Sequence, residues 1–143
     1  MQKISISFEL PTVSMPHKIW PYFTDFSLRK LWETDLEEFT IIGEMKSGVN
    51  GLFKLENMPA MKVVLSTVLI NKEFTERFDI PDIGALFFSH QIIEYSDNKY
   101  AIKAVIELEP TVELSNKVCY DFLKNISNDI IDKAFLLKEL VEK

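Results

Sequence analysis

From about residue 113 to residue 141, apolar side chains return at Cys119, Phe122, Ile126, Ile130, Ala134, Leu137 and Val141, in steps of three and four. That is the period of one face of an α-helix. A helix of this length spans on the order of 40 Å at ~1.5 Å per residue. The steps fit a heptad over part of the segment. The chain before it, however, reads as strand over most of residues 39–108. A single twisted sheet needs its apolar face covered, so the long helix is expected to lie across a sheet as a lid rather than project as a coiled-coil arm.

The strands are legible as alternation. Ile4, Ile6, Phe8 and Leu10 interleave with Lys3, Ser5, Ser7 and Glu9, and Pro11 closes this first strand. Two short helices are expected next. Ser14 would cap the first, which has Pro16 in its first turn and holds Ile19, Trp20 and Phe23. Ser27 would cap the second, 28–32, with Asp25 and Phe26 as the joint. Further strands are expected at 39–44, 52–56, 61–70, 72–80, 86–95 and 100–108, separated by turns rich in Gly, Asn and Pro. Short turns between strands argue an antiparallel meander and not βαβ units. The expected class is α+β: a seven-stranded antiparallel sheet wrapped around a long C-terminal helix, with two short helices between the first two strands. At 143 residues this makes one domain, 1–143.

Composition removes several partners. The net charge is −6 with no Lys/Arg stripe, which disfavours nucleic acid and anionic membrane surfaces. The longest apolar region, 63–70, is broken by Ser66 and Thr67 and is far too short for membrane insertion. The alternating N-terminus is not a signal peptide, so a cytoplasmic location is the expectation. The single cysteine, Cys119, falls on the apolar helical stripe and reads as a buried, inert thiol. Two distant histidines give no metal-ligand spacing. The acidic run Glu33, Asp35, Glu37 and Glu38 lacks the calcium-loop pattern and reads as a solvated connection. No phosphate-cradling loop or dinucleotide fingerprint is present, so neither metal nor cofactor is expected.

The functional lead is a pair of polar residues on apolar strand faces. Glu76 shares a face with Phe74, Phe78 and Ile80, and His90 shares one with Leu86, Phe88 and Ile92. A hairpin symmetric about Ile83 would set Glu76 opposite His90, Phe78 opposite Phe88 and Phe74 opposite Ile92. A buried charge is costly unless paired, so Glu76 and His90 are expected to form an acid–imidazole pair on the concave face. Such a pair either fixes register and orients a ligand, or carries out proton transfer. Trp20, Phe23 and Trp32 either dock the short helices onto the sheet or stack on a ligand.

The order of elements resembles the START-like, polyketide-cyclase-like helix-grip superfamily over essentially the whole chain. The local likeness lies in Trp20-Pro21-Tyr22-Phe23-Thr24-Asp25 followed by Leu31-Trp32, in Gly48 and Gly51, and in Phe88-Ser89-His90-Gln91-Ile92. The resemblance implies a hydrophobic cavity between sheet and long helix, and relatives that carry, sense, cyclise or activate a chaperone ATPase. The leading expectation is a hydrophobic or amphipathic small molecule held by Glu76 and His90, with Trp32, Phe74, Phe78, Phe88, Phe122 and Ile126 as walls. One alternative is a cyclase- or dehydratase-like enzyme using His90 and Glu76. The other is a protein-interaction module whose groove its own eleven Phe residues have closed. A homodimer is compatible with all three.

Overall fold

The computed structural model describes residues 2–143. Strand β1 (Ile4–Thr12) is followed by three helical turns, α1 (Pro16–Ile19), α2 (Pro21–Thr24) and α3 (Phe26–Arg29). Then come β2 (Leu36–Ile41), β3 (Asn50–Leu55), β4 (Met61–Leu69), β5 (Glu73–Ile80), β6 (Gly84–Ser96), β7 (Lys99–Pro110) and helix α4 (Asn116–Val141). All neighbouring strands are antiparallel, in the order β1-β7-β6-β5-β4-β3-β2. The sheet is the expected meander, with β1 folded back onto β7. Helix α4 packs on β1 and β7, and this is the α+β helix-grip arrangement.

The local signals near the short helices resolve differently from expectation. The first helix is broken at Trp20, which closes α1 and opens α2, because Pro21 has no N–H to continue the ladder. Met15, not Ser14, precedes α1, and the buried Ser14 hydroxyl has no hydrogen-bond partner among the described residues. Asp25, expected only as a joint, is the cap of α3: its carboxylate accepts from the Ser27 N–H at 2.9 Å. Helix α4 starts at Asn116 rather than near residue 113, where Ser115 Oγ accepts from the Val118 N–H at 3.2 Å.

The β5–β6 hairpin has a different register from the expected one. Phe74 lies opposite His90, Glu76 opposite Phe88 and Phe78 opposite Leu86. The cause is the turn. Pro81 supplies the fixed φ of its second position, Asp82 takes a φ of 65°, and the Ile83 N–H returns to the Ile80 carbonyl at 3.2 Å. Pairing therefore resumes at Gly84, two residues before the expected strand start. A shift of two conserves the side-chain face, so the two apolar faces still meet. Glu76 and His90 become diagonal neighbours, a separation that a long side chain bridges.

The buried side chains form two clusters. One gathers Ile19, Phe23, Trp32, Leu36 and the sheet's Phe39, Phe53, Phe74 and Phe78 against Leu137 and Val141 of α4. The other joins Ile4, Leu86, Ile106 and Leu108 to Cys119 and Leu123. Cys119 is buried as expected. Ile80 and Phe88 touch both clusters without being fully buried themselves. Together with the half-buried Phe122, Ile126 and Ile130 of α4, they mark where packing between sheet and helix is incomplete.

Candidate functional site

That gap is a cavity of about 340 Å³ between the inner sheet face and α4. Its size is within the range of small-molecule sites. Seven of the eight expected wall and polar residues line it: Trp32, Glu76, Phe78, Phe88, His90, Phe122 and Ile126. Phe74 does not. It is wholly buried, with its ring edge-on to Trp20 and Phe39. The register explains this exclusion: Phe74 sits opposite His90 and beneath the short helices, where aromatic packing is tight. The eleven Phe residues leave the space under α4 open rather than closing it.

The expected acid–imidazole contact is present. His90 Nε2 lies 3.2 Å from Glu76 Oε1, and both residues are buried. The imidazole is held nearly parallel to the Phe23 ring at 5.3 Å and edge-on to Trp32 at 5.7 Å. An ionised carboxylate only accepts, so Nε2 carries the hydrogen, and in the neutral ring Nδ1 is then the acceptor. Nδ1 has no protein partner among the described residues.

Glu76 has a stronger partner that the strand pattern did not reveal. Arg29, at the end of α3, is only 1% exposed. Its Nη1 donates to Glu76 Oε2 at 2.8 Å and its Nη2 to Oε1 at 2.7 Å. This is a bidentate, charge-assisted pair. Nε of the same guanidinium donates to Glu33 Oε1 at 2.8 Å, and Nη1 also reaches the Phe23 carbonyl. The rings of Phe39, Phe53, Trp32 and Phe74 surround the guanidinium, with centroids 4.7, 5.5, 5.8 and 5.9 Å from its central carbon.

The network continues to α4. Lys133 Nζ is 2.8 Å from Asp35 Oδ1, 2.9 Å from Asp129 Oδ2 and 3.5 Å from Glu33 Oε2. The Asp35 contact is an ion pair outside hydrogen-bond geometry. Glu33, expected in a solvated connection, and Lys133 are both buried, at 6% exposure each, because every charge finds an opposite one on a different element. Two sequence signals pointed this way. Arg29 and Glu33 are spaced i,i+4 beside Trp32, and Lys133 sits among Ile130, Ala134 and Leu137, on the apolar stripe itself.

These contacts decide the charge states. Burial alone would raise the Glu76 carboxyl, but the charge of Arg29 and the hydrogen bonds from His90 and Arg29 outweigh it and hold the group at about 2. Burial would lower Arg29, but the charges of Glu76 and Glu33 drive its value up. Lys133 is raised likewise: burial opposes, while the charge of Glu33 and the contacts with Asp35 and Asp129 prevail. Glu76 is therefore an anion near neutral pH. It orients His90 and is unsuited to act as a proton-accepting base near neutrality.

Among the described residues, no cluster has the composition of a metal site, and no helix is long and apolar enough to cross a membrane. His17 lies on the exposed surface at a separate, open groove of about 660 Å³ bordered by Lys72, Glu73 and Gln91.

No family model and no curated protein matches the chain. Solved structures do. A truncated norcoclaurine synthase from Thalictrum flavum has a TM-score of 0.68 at 14% identity, covering 98% of this chain and 94% of its own. Ara h 8.0201 gives 0.62 at 12% identity, covering 95% and 99%. A conserved protein of unknown function from Enterococcus faecalis gives 0.64 at 20% identity, covering 99% and 73%. At identities this low the likeness is one of architecture, and the chain has the helix-grip fold.

Proposed function

We propose that the protein binds a hydrophobic or amphipathic small molecule in the cavity between the sheet and α4. The observation that carries this reading is the cavity itself: an unfilled space of about 340 Å³, walled by Phe78, Phe88, Phe122 and Ile126 and closed at one end by buried charges. A void of this kind forfeits packing energy unless something occupies it. It has a little over twice the volume of the ~150 Å³ apolar cavity that takes up benzene, so a ligand of roughly two fused rings fits. The test is titration with 1-aminonaphthalene, a neutral two-ring fluorophore. We expect saturable one-site enhancement in the wild type and its loss in Ile126→Trp, with the circular dichroism spectrum unchanged. Absence of binding, or binding indifferent to Ile126→Trp, would sink the proposal.

A second reading is supported by one observation, the unpartnered Nδ1 of His90 on the cavity wall. A neutral imidazole fixed by an anion on one nitrogen is a suitable general base on the other. In that reading His90 moves the proton and Glu76 orients the ring, as a cyclase- or dehydratase-like reaction requires. His90→Gln separates the two readings: a binding protein keeps its affinity within a few fold, whereas an enzyme loses turnover and keeps binding.

A further inference from the structure

The polar end of the cavity is lined by Glu33, Glu76 and Asp129 with Arg29 and Lys133, and Asp35 pairs with Lys133 from outside the lining. Lys103 borders the cavity too, but it falls between Ile102 and Ala104 on β7, so its side chain leaves on the other sheet face. The four carboxylates outnumber Arg29 and Lys133. The two cations are already paired. Arg29 makes four hydrogen bonds with its five N–H donors, and four aromatic rings surround the guanidinium. Lys133 is held by ion pairs to three carboxylates. What the site chiefly offers a ligand is acceptor capacity: Nδ1 of His90, and the lone pairs that Glu33 and Glu76 have to spare after one to three contacts each.

Resting on the binding function proposed above, we infer that the ligand carries a hydrogen-bond donor on its apolar body, an alcohol, phenol or ammonium group, and that carboxylates such as fatty or aromatic acids are excluded. A ligand carboxylate at this end would meet an excess of like charge and would have to compete with the protein's own carboxylates for Arg29 and Lys133, so little offsets the cost of desolvating it. A hydroxyl or ammonium would instead satisfy acceptors that are otherwise left dry. Discrimination of this kind comes from a built-in mismatch with the wrong ligand as much as from a fit to the right one.

The experiment is a matched series on the intact protein by calorimetry near neutral pH: naphthalene, 2-naphthalenemethanol, 2-naphthylmethylamine and 2-naphthoate. The four share one body and differ in the head group. The alcohol and the ammonium should bind at least about tenfold more tightly than the carboxylate, the range expected when buried polar groups are left unpaired. Glu33→Gln should narrow the ammonium-to-carboxylate ratio by about threefold or more. Carboxylate binding as tight as the alcohol, or affinities that ignore the head group, overturns this inference while leaving the binding function standing. Failure of all four, naphthalene included, refutes the binding function and the inference with it.

Discussion

Replacing Arg29 by Met tests whether the buried ion network stabilises the fold in the way its geometry requires. Methionine keeps much of the side-chain length among the four aromatic rings and removes the charge that Glu76 and Glu33 both use. Two routes give the magnitude. A carboxyl held at about 2 instead of 4.5 corresponds to about 3 kcal/mol, at ~1.36 kcal/mol per pH unit. Independently, removing one partner of a buried pair costs about 3–5 kcal/mol. Both refer to groups only 1% exposed, so solvent screening does not reduce them much. With a urea m-value of about 2 kcal/mol/M, the midpoint should fall by roughly 2 M near neutral pH. Fluorescence of Trp20 and Trp32, which flank the network, reports the transition.

The pH dependence supplies a sharper check on the same variant. In the wild type the folded value of Glu76 lies below the unfolded one. Its contribution is therefore complete above about pH 4.5 and is lost as pH falls toward about 2. In Arg29→Met, burial acts on Glu76 without its main counter-charge, so its value rises and protonation relieves the cost. The stability gap between wild type and variant should then narrow steadily on acidification. Adding Glu76→Gln to Arg29→Met should recover more than half of the loss. A gap under about 0.5 kcal/mol near neutral pH, or one that stays constant between about pH 7 and pH 4, would refute the electrostatic account.

Other positions give simpler tests. Gly84 starts β6 with a φ of 155°, and a Cβ there would collide with the Glu109 carbonyl on β7, so Gly84→Ala should cost about 1–3 kcal/mol and disturb the β6–β7 amide resonances first. Ser115→Ala removes the cap of α4 and should lower stability by about 1 kcal/mol in chemical denaturation, while Ser115→Asp should restore it.

The sequence by itself determined the elements and their faces. Alternation placed Phe78, Phe88 and His90 on the inner side of their strands, and the three-and-four steps of Phe122, Ile126 and Ile130 turned that face of α4 toward them. Both are local properties, set by how side chains project from a strand or a helix, and they survived a two-residue error in register because that error conserves the face. The tertiary structure alone decided which charges meet. Arg29 and Glu76 are separated by 47 positions, and Lys133 reaches Glu33 and Asp35 from the far end of the chain. Nothing in the local pattern of any one segment specifies those pairings. They form because burying each charge without the others is prohibitive, so the packing that unites α3, β5 and α4 must unite all of them together. The same packing took Phe74 out of the cavity wall, and it leaves the polar end of the site with acceptors to spare and its cations already paired.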